Sequence, residues 1–347
     1  MYYLTYRPQK ISQIDNHIVA EKLKAILAKD RLPHAILFSG PKGTGKTSSA
    51  RLIARSINCL QNKFANIGSD YEPCNECENC KTILADNSPD VIEIDSASTG
   101  GVDDIRELIN SANLVPLISK YKVYILDEFH MLSKSAFNAF LKTLEEPPKN
   151  VIFILATTER EKLLKTILSR CVEISVPAAT KADVVNMLKR ICIGEKLDLD
   201  EDIFDVIFAR SDTSFRNAAR LLEELVINDI KNAEKARIWL DNGLDIDLVA
   251  LILEGDVKKV LSQIDKYSQA GGDFSHLSRL ILTQLHDILI SQMTEKLEEK
   301  VWNLKDLTRL IRLINESHSL ISISPIASLP LELAVIEYFS VETSTKN

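Results

Sequence analysis

The sequence predicts an α/β domain built on a parallel sheet, followed by a region that contains only helices. In the first half of the chain, short apolar runs alternate with helical patterns, and no strand pattern follows Pro177. The apolar runs are rich in Val and Ile and lack polar alternation, which is typical of parallel strands covered on both faces. We therefore expect a doubly wound α/β arrangement.

Five runs are predicted to be the strands of this sheet: "AILFS" (35–39), "VIEID" (91–95), "KVYILD" (122–127), "VIFILAT" (151–157) and "CVEISV" (171–176). Helical patterns separate them: "KTSSARLIARSIN" (46–58), "VDDIRELINSA" (102–112) and "SKSAFNAFLKTLEE" (133–146). The strand–helix alternation favours parallel connections.

The helical remainder is predicted to form two parts, 178–242 and 243–347, and the α/β domain to occupy 1–177. The polar stretch "DNGLDID" (241–247) carries a glycine and indicates the boundary. A C-terminal helix is expected within "ASLPLELAVIEYFS" (327–340). One apolar helix face is predicted in the last part, formed by Leu277, Ile281, Leu285, Ile288 and Leu289.

Composition narrows the class of protein. The chain has 347 residues, 45% hydrophobic, with a formal net charge of -7. The first residues lack an apolar signal region, and no apolar run is long enough to span a membrane, so we expect a cytoplasmic protein without a membrane partner. The net negative charge disfavours a protein whose whole surface is basic and binds nucleic acid. It allows a local DNA-binding groove or basic partners.

Residues 40–47 match the full phosphate-binding pattern G-x-x-x-x-G-K-[ST], between a predicted strand and a predicted helix. Lys46 is expected to reach the β- and γ-phosphates of ATP, and the Thr47 hydroxyl to ligate Mg²⁺. The alternative is a glycine turn that binds nothing. The predicted nucleotide-binding residues of this segment are Gly40, Pro41, Lys42, Gly43, Thr44, Gly45, Lys46, Thr47 and Ser48.

A second acidic motif ends the run "KVYILDEFH". Asp127 is predicted to hold Mg²⁺ through a bound water. Glu128 is predicted to be the general base that polarises the attacking water. An acidic helix cap after a strand is the alternative. None of the six histidines has ligand spacing, and all are interpreted as structural or solvated.

Three cysteines recur in "PCNECENCKT", and a fourth lies upstream at the end of the predicted phosphate-loop helix. In a cytosolic protein, four thiolates suit tetrahedral zinc. An iron–sulfur site or free thiols are the alternatives. The predicted zinc ligands are Cys59, Cys74, Cys77 and Cys80, whereas Cys171 and Cys192 are interpreted as core residues.

The ordered motifs resemble those of the gamma/tau ATPase subunits of the bacterial DNA polymerase III clamp loader, which are AAA+ proteins. The resemblance covers nearly the whole chain. It rests on "YRPQ", "GPKGTGKTS", "PCNECENC", "EIDSAS", "DEFHMLSKSAFNAFLKTLEEPP", "LATT" and "LSRC".

The resemblance implies further catalytic residues. Thr158 falls at the sensor-1 position, Arg170 at the arginine-finger position that acts on a neighbour's ATP, and Arg216 at sensor 2. Arg7, with Pro8, matches the N-terminal nucleotide-binding box. The sequence departs from the family pattern at Thr213 and Asn217 beside sensor 2, and at Asp15-Asn16 after that box.

The resemblance also implies an architecture and partners: a zinc module at about 59–80, a small helical lid at 178–242, and an all-α collar at 243–347. The collar would join a pentameric ring with delta, delta-prime and further copies of this chain. The ring would act on a sliding clamp and contact primed DNA through its backbone. The chain ends soon after the collar, as in the short gamma form.

One stretch has two interpretations. Residues 98–101, "STGG", open a predicted helix, where free N–H groups could hold a DNA phosphate. Ordinary helix capping explains the same residues.

The expected function is an ATP-hydrolysing motor that loads the sliding clamp onto primed DNA within the DNA polymerase III holoenzyme. An ATPase-inactive scaffold subunit and an unrelated P-loop kinase are the alternatives.

Overall fold

The computed structural model describes residues 1–29, 31–67, 69–240, 248–294 and 303–342. The chain forms two compact units, Met1–Lys231 and Asn232–Asn347. The predicted boundary at 241–247 lies outside the described residues, and the division at residue 177 stays a prediction. Within the described ranges, no helix combines the length and apolar character needed to cross a membrane.

The first unit contains a five-stranded sheet in the order β2-β3-β4-β1-β5, and every neighbouring pair is parallel. The parallel five-stranded sheet is therefore confirmed. The strands are β1 (Ala35–Ser39), β2 (Val91–Asp95), β3 (Lys122–Asp127), β4 (Val151–Thr157) and β5 (Val172–Ser175). Four match the predicted ranges. The fifth is shorter than predicted at both ends, and Cys171 precedes it, half-buried.

Ten helices belong to this unit among its described residues: α1 (Tyr2–Thr5), α2 (His17–Leu27), α3 (Lys46–Asn58), α4 (Glu78–Leu84), α5 (Val102–Ala112), α6 (Lys134–Glu145), α7 (Lys165–Leu168), α8 (Lys181–Glu195), α9 (Ile203–Arg210) and α10 (Phe215–Ile227). The predicted bounds of α3 and α5 are confirmed. Helix α6 begins one residue later than predicted because Ser133 is its N-cap, whose side chain accepts a hydrogen bond from the N–H of Ala136, and it ends one residue earlier, at Glu145.

Alternate residues along the strands point to opposite faces of the sheet. Ile36, Phe38, Val123, Ile125, Ile152 and Ile154 share a buried cluster with residues of α2 and α3. Leu37, Tyr124, Leu126, Phe153 and Leu155 share another with residues of α5 and α6. Helices therefore cover both faces, which explains the unbroken apolar runs of the strand sequences.

The strand register brings the carboxyl ends of three strands to one edge. Ser39 at the end of β1 pairs with Thr157 at the end of β4, and β3, which ends at Asp127, lies on the other side of β4. In parallel α/β sheets, ligands bind outside this edge.

The second unit is helical in its described part: α11 (Ala233–Leu240), α12 (Leu248–Leu253), α13 (Val257–Gln269), α14 (Phe274–Thr294), α15 (Leu304–Ile321) and α16 (Leu329–Glu342). Leu277, Ile281 and Leu285 are buried in its core, and Ile288 and Leu289 pack against that core. The predicted apolar face of α14 is thus confirmed. The C-terminal helix begins two residues later than the predicted stretch and runs on to Glu342.

Candidate nucleotide site and metal centre

The loop between β1 and α3 requires glycine backbone conformations. Gly43 and Gly45 have φ angles of +76° and +98°, in the left-handed region that glycine adopts readily. A Cβ atom on Gly43 would lie 2.0 Å from Ser214 Oγ, so the loop also packs closely against the start of α10. These constraints aim the N-terminus of α3 at the strand-end edge, where an anion would be stabilised.

The Lys46 ammonium is held inside this loop. Its Nζ donates hydrogen bonds to the carbonyl oxygens of Gly40 (2.8 Å) and Pro41 (2.7 Å). Burial lowers the pKa of Lys46, the Glu128 and Asp127 carboxylates oppose that shift, and Arg216 adds to it. The ammonium thus lies in a partly desolvated site where an anionic ligand would stabilise its charge.

Thr47 and Asp127 meet although eighty positions separate them in sequence. The Thr47 hydroxyl donates to Asp127 Oδ2 at 2.7 Å, and the backbone N–H of Glu128 donates to Asp127 Oδ1 at 2.9 Å. A hydroxyl beside a carboxylate supplies the hard oxygen ligands that Mg²⁺ prefers. The residues present therefore fit a magnesium site.

Glu128 has an unusual backbone and a fixed side chain. Its φ is +45°, a left-handed conformation uncommon for a residue with a side chain. The Thr158 hydroxyl donates to its Oε2 at 3.0 Å. Such local strain occurs at functional sites. Here it directs the carboxylate from the end of β3 toward the residue that follows β4.

His130 joins this network, and the sequence did not reveal it. Its buried ring places Nδ1 3.0 Å from Thr157 Oγ1 and 3.5 Å from Glu128 Oε2, and Nε2 3.0 Å from Glu159 Oε1. The ring therefore lies between two carboxylates, one of them Glu128. Spacing along the sequence gave no signal for His130, because Thr157 and Glu159 belong to the end of β4 and the segment that follows it.

One pocket brings most of the predicted nucleotide residues together. Helices α1, α8 and α10 and the segment before α2 supply its other walls. Gly40, Pro41, Thr158 and Arg170 are not among its lining residues. Those predicted site residues that line it are Arg7, Lys42, Gly43, Thr44, Gly45, Lys46, Thr47, Ser48, Asp127, Glu128 and Arg216.

The pocket has an excess of positive charge near Arg7. Burial lowers the pKa of this half-buried guanidinium, and the nearby Arg51 and Arg216 lower it further, whereas Glu93 and Asp86 oppose them. Within the described residues, the Arg7 side chain makes no hydrogen bond or ion pair, while Arg51 is paired with Glu93 and Asp86. An anion in the pocket would relieve this repulsion.

Asp15 and Asn16, which depart from the family pattern, have structural partners. Both Asp15 carboxylate oxygens accept hydrogen bonds from Arg190 of α8, at 2.7 and 2.8 Å. The Asn16 side chain caps α2 by accepting from the N–H of Val19. Thr213, which departs from the family pattern beside sensor 2, has a φ of +53°, in the left-handed region that glycine adopts readily.

Arg170 lies outside the pocket of its own chain. Its guanidinium donates to Glu145 Oε1 and to the Thr166 carbonyl, each at 2.7 Å. Arg170 is partly exposed in this ion pair. The contacts therefore fit an ordinary surface salt bridge, and they also fit an arginine that is held in place for another subunit.

Residues 98–101 are capped locally. The backbone N–H of Gly101 donates to Asp104 Oδ2 at 3.1 Å. The Ser98 hydroxyl donates to the Asp95 carbonyl, and Gly100 accepts from the N–H of Ser133. Helix capping, one of the two interpretations of this stretch, thus accounts for the N–H group of Gly101.

The four cysteines predicted to bind zinc form one cluster. The sulfur atoms of Cys59, Cys74, Cys77 and Cys80 all lie within 4.8 Å of one another, and three of the four residues are buried. In tetrahedral zinc with Zn–S bonds of about 2.3 Å, neighbouring sulfurs are about 3.8 Å apart. The four thiols therefore fit a closed zinc site after a small contraction.

Backbone N–H groups point at these sulfurs. Cys59 Sγ accepts from Gln61 and from Cys74, and Cys74 Sγ accepts from Glu76 and Cys77, at 3.2–3.4 Å. Burial raises the pKa of Cys74, but its N–H donors and neighbouring thiols have the larger, opposite effect and lower the pKa to about 7. N–H donors of this kind stabilise thiolates, the form that binds a metal.

Comparisons with known proteins agree with these motifs. A family model described as DNA polymerase III, delta subunit, matches residues 15–180. The chain is 39% identical over 303 residues to DNA polymerase III subunit tau of Bacillus subtilis, covering 85% of this chain and 53% of that protein. It is 38% identical over 308 residues to DNA polymerase III subunit gamma of Buchnera aphidicola, covering 86% and 83%.

The chain spans about half the length of some of the curated relatives, including 42% of the tau/gamma subunit of Haemophilus influenzae. Among solved structures, the RuvB Holliday junction branch migration motor of Thermotoga maritima is similar with a TM-score of 0.50. That match has 18% identity and covers 77% of this chain and 86% of the other. At this identity the likeness concerns the fold.

Proposed function

The chain belongs to the gamma/tau subunit family of bacterial DNA polymerase III, the clamp-loader AAA+ ATPases, and on that premise we propose that it is an ATP-hydrolysing motor subunit that loads a sliding clamp onto primed DNA. One observation carries the enzymatic part of the proposal. The Thr47–Asp127 hydrogen bond and the Thr158–Glu128 hydrogen bond converge at the end of the sheet, beside the phosphate-binding loop.

In this proposal the phosphate loop binds the ATP phosphates through its backbone N–H groups and Lys46. Thr47 and Asp127 would hold Mg²⁺, which when bound would neutralise developing charge on the phosphates. Arg7 and Arg216 supply further positive charge. The unpaired state of Arg7 and its repulsion by Arg216 support that role, because both are relieved by a polyphosphate.

Glu128 is the proposed general base. A base must have a fixed position and be within hydrogen-bond reach of the attacking water. The hydrogen bond from Thr158 fixes one carboxylate oxygen, and the imidazole of His130 approaches the same oxygen. We therefore assign Thr158 and His130 the task of orienting Glu128.

Zinc is the proposed occupant of the cysteine cluster, with a structural task. All four cysteines are ligands, so no position stays open for a substrate or a reactive water, as is typical of structural zinc. The segment 59–80, which follows α3 and extends into the first turn of α4, is the proposed zinc module. The metal would fix it against the helix that begins at the phosphate-binding loop.

Arg170 is the proposed arginine finger, acting on ATP bound by a neighbouring subunit. It does not line the pocket of its own chain, and its hydrogen bonds to Glu145 and Thr166 suit a group that is held at a surface for another subunit.

We assign residues 178–242 to a helical lid and residues 243–347 to a helical collar. The collar would join a pentameric ring with delta, delta-prime and further copies of this chain.

The loop after α5 is a candidate contact surface for a protein partner. Leu114, Val115 and Leu117 are 64–80% exposed. The loop is nevertheless held in place, because the fully buried Asp90 carboxylate accepts hydrogen bonds from the N–H groups of Leu117, Ile118 and Ser119. A fixed, exposed apolar loop favours a protein interface.

DNA contact by residues 98–101 stays part of the proposal, limited to the phosphates of the DNA backbone.

The test is ATP hydrolysis by the chain assembled with its loader partners, with and without a sliding clamp and primed DNA. A motor is stimulated when both are added. A scaffold subunit shows no hydrolysis beyond that of a Lys46→Ala control, and a P-loop kinase is indifferent to clamp and DNA. Either of the last two results would contradict the proposed function.

A further inference from the structure

Arg55 lies in the last turns of α3, between the nucleotide pocket and the cysteine cluster. It is 3% exposed. Its Nη1 donates to Gln9 Oε1 at 2.6 Å and to Asn75 Oδ1 at 3.0 Å. Both acceptors are neutral amides, and its buried Nε has no hydrogen-bond partner.

The guanidinium therefore lacks an ordinary countercharge. Among the described residues, no carboxylate forms an ion pair with Arg55. Arg51, one turn earlier on the same helix, is paired with both Glu93 and Asp86. Taking an unpaired charge out of water is strongly unfavourable even after relaxation. A buried arginine in this position needs a negative group that the amides do not provide.

The cysteine cluster is the neighbouring group that can become negative. Asn75, which accepts from Arg55, lies between Cys74 and Glu76 in the metal module. Burial lowers the pKa of Arg55, and the charge that most favours its protonated form is that of Cys80. Neutral thiols supply no countercharge, but metal binding deprotonates them. A zinc ion with four thiolates has two excess negative charges.

We infer that Arg55 is the charge partner of the metal-loaded cysteine cluster, so that bound zinc and the buried guanidinium stabilise each other. This inference rests on the zinc site proposed above. It links the metal to the nucleotide site through one helix, because α3 begins at Lys46, carries Arg55 and ends directly before Cys59. Zinc would then secure the C-terminal end of that helix electrostatically as well as covalently.

The experiment measures zinc affinity of the full chain by competition with a chelator, in three variants. Arg55→Gln removes the charge and should weaken zinc binding about 10- to 100-fold, the usual effect of losing an outer-sphere partner. Arg55→Lys keeps the charge and should retain most of the affinity. Arg51→Gln, the matched control, removes an arginine that already has carboxylate partners and should leave zinc affinity unchanged.

Thermal unfolding gives a second readout, because the destabilisation by Arg55→Gln should depend on bound zinc. With zinc bound, Arg55→Gln should unfold at a lower temperature than the parent chain. With excess chelator it should unfold at the same or a higher temperature, because the metal-free parent keeps an uncompensated buried charge. A fall of similar size in both conditions would overturn the inference.

Two further outcomes separate this inference from the metal site itself. If the parent chain binds no zinc, both the metal site and the role of Arg55 are wrong. If the parent binds zinc but Arg55→Gln binds it equally well, the site stands and the inference about Arg55 fails. Equal weakening by Arg55→Gln and Arg55→Lys would mean that Arg55 only bridges Gln9 and Asn75 by hydrogen bonds, which also overturns it.

Discussion

The nucleotide pocket and the cysteine cluster lie at opposite ends of the same helix, α3, but they are built differently. The cluster draws its four cysteines from residues 59–80, and their sulfur atoms are already within 4.8 Å of one another. The pocket draws its walls from positions as far apart as Tyr2 and Ala219. It has unbalanced positive charge, and the predicted arginine finger, Arg170, lies elsewhere.

The difference indicates which site the chain completes by itself. A tetrahedral metal needs four donors, and one chain supplies all of them. Phosphoryl transfer needs charge stabilisation on the γ-phosphate, and that part can come from another subunit. Metal binding should therefore be independent of assembly, whereas hydrolysis should depend on it.

The largest expected effect comes from Arg170→Ala in the assembled ring. ATP binding by the variant chain should stay nearly unchanged, and hydrolysis should fall about 10³- to 10⁵-fold, because an arginine finger contributes that much to the rate. Clamp- and primer-stimulated ATPase, with nucleotide binding followed in parallel, is the measurement.

Complementation provides the control for Arg170. Rings that mix Arg170→Ala chains with Lys46→Ala chains contain interfaces that pair an intact phosphate loop with an intact Arg170, and these should recover partial activity. A surface ion pair with Glu145 instead predicts a stability change of about 0–1 kcal/mol and normal turnover. No recovery in rings of confirmed assembly would contradict action across the subunit interface.

The next effect is that of Glu128→Gln, compared with Lys46→Ala. Loss of a general base should lower turnover about 10²- to 10⁴-fold while ATP stays bound. Lys46→Ala should instead weaken binding, since it removes the charge that faces the β- and γ-phosphates. Equilibrium nucleotide binding and single-turnover hydrolysis separate the two, and parental rates in both variants would mean that the site is wrongly assigned.

Cys77→Ser tests the closed site. The parent chain should contain about one zinc per molecule, and the variant should lose it together with local stability, because a structural site uses all four thiolates. ATP affinity should change little. Elemental analysis and thermal unfolding measure the effect, and Cys171→Ser, which removes a thiol outside the cluster, is the matched control. An iron–sulfur absorption band in the parent would refute the zinc assignment.

The sequence predicted the parts of both sites that are encoded locally. The phosphate-loop motif, the bounds of α3 and four strands depend on neighbouring residues, so periodicity and motif spacing identified them. His130 and Arg55 were missed because their meaning depends on tertiary neighbours. His130 contacts Thr157 of the adjacent strand, and Arg55 contacts Gln9, which is 46 positions away in sequence.

The Asp15–Arg190 ion pair also depends on tertiary neighbours. Its disruption is the smallest of the predicted effects. The pair joins the segment before α2 to helix α8, and both residues line the nucleotide pocket. Asp15 is 9% exposed and Arg190 36%, so the pair lies between a surface salt bridge and a buried one. Breaking it should cost about 1–2 kcal/mol of stability, between the usual values for those two classes.

A double-mutant cycle tests whether the Asp15–Arg190 pair affects ATP binding only by holding α8 in place. If Asp15 acts on the nucleotide only by holding α8, then Asp15→Asn and Arg190→Gln should weaken ATP binding equally, by about tenfold at most for a loss near 1.4 kcal/mol. The double variant should then be no weaker than either single one. If Asp15→Asn alone changes ATP affinity, Asp15 contacts the nucleotide directly. In that event the segment before α2 recognises the ligand itself, and the pocket depends less on α8 than its geometry indicates.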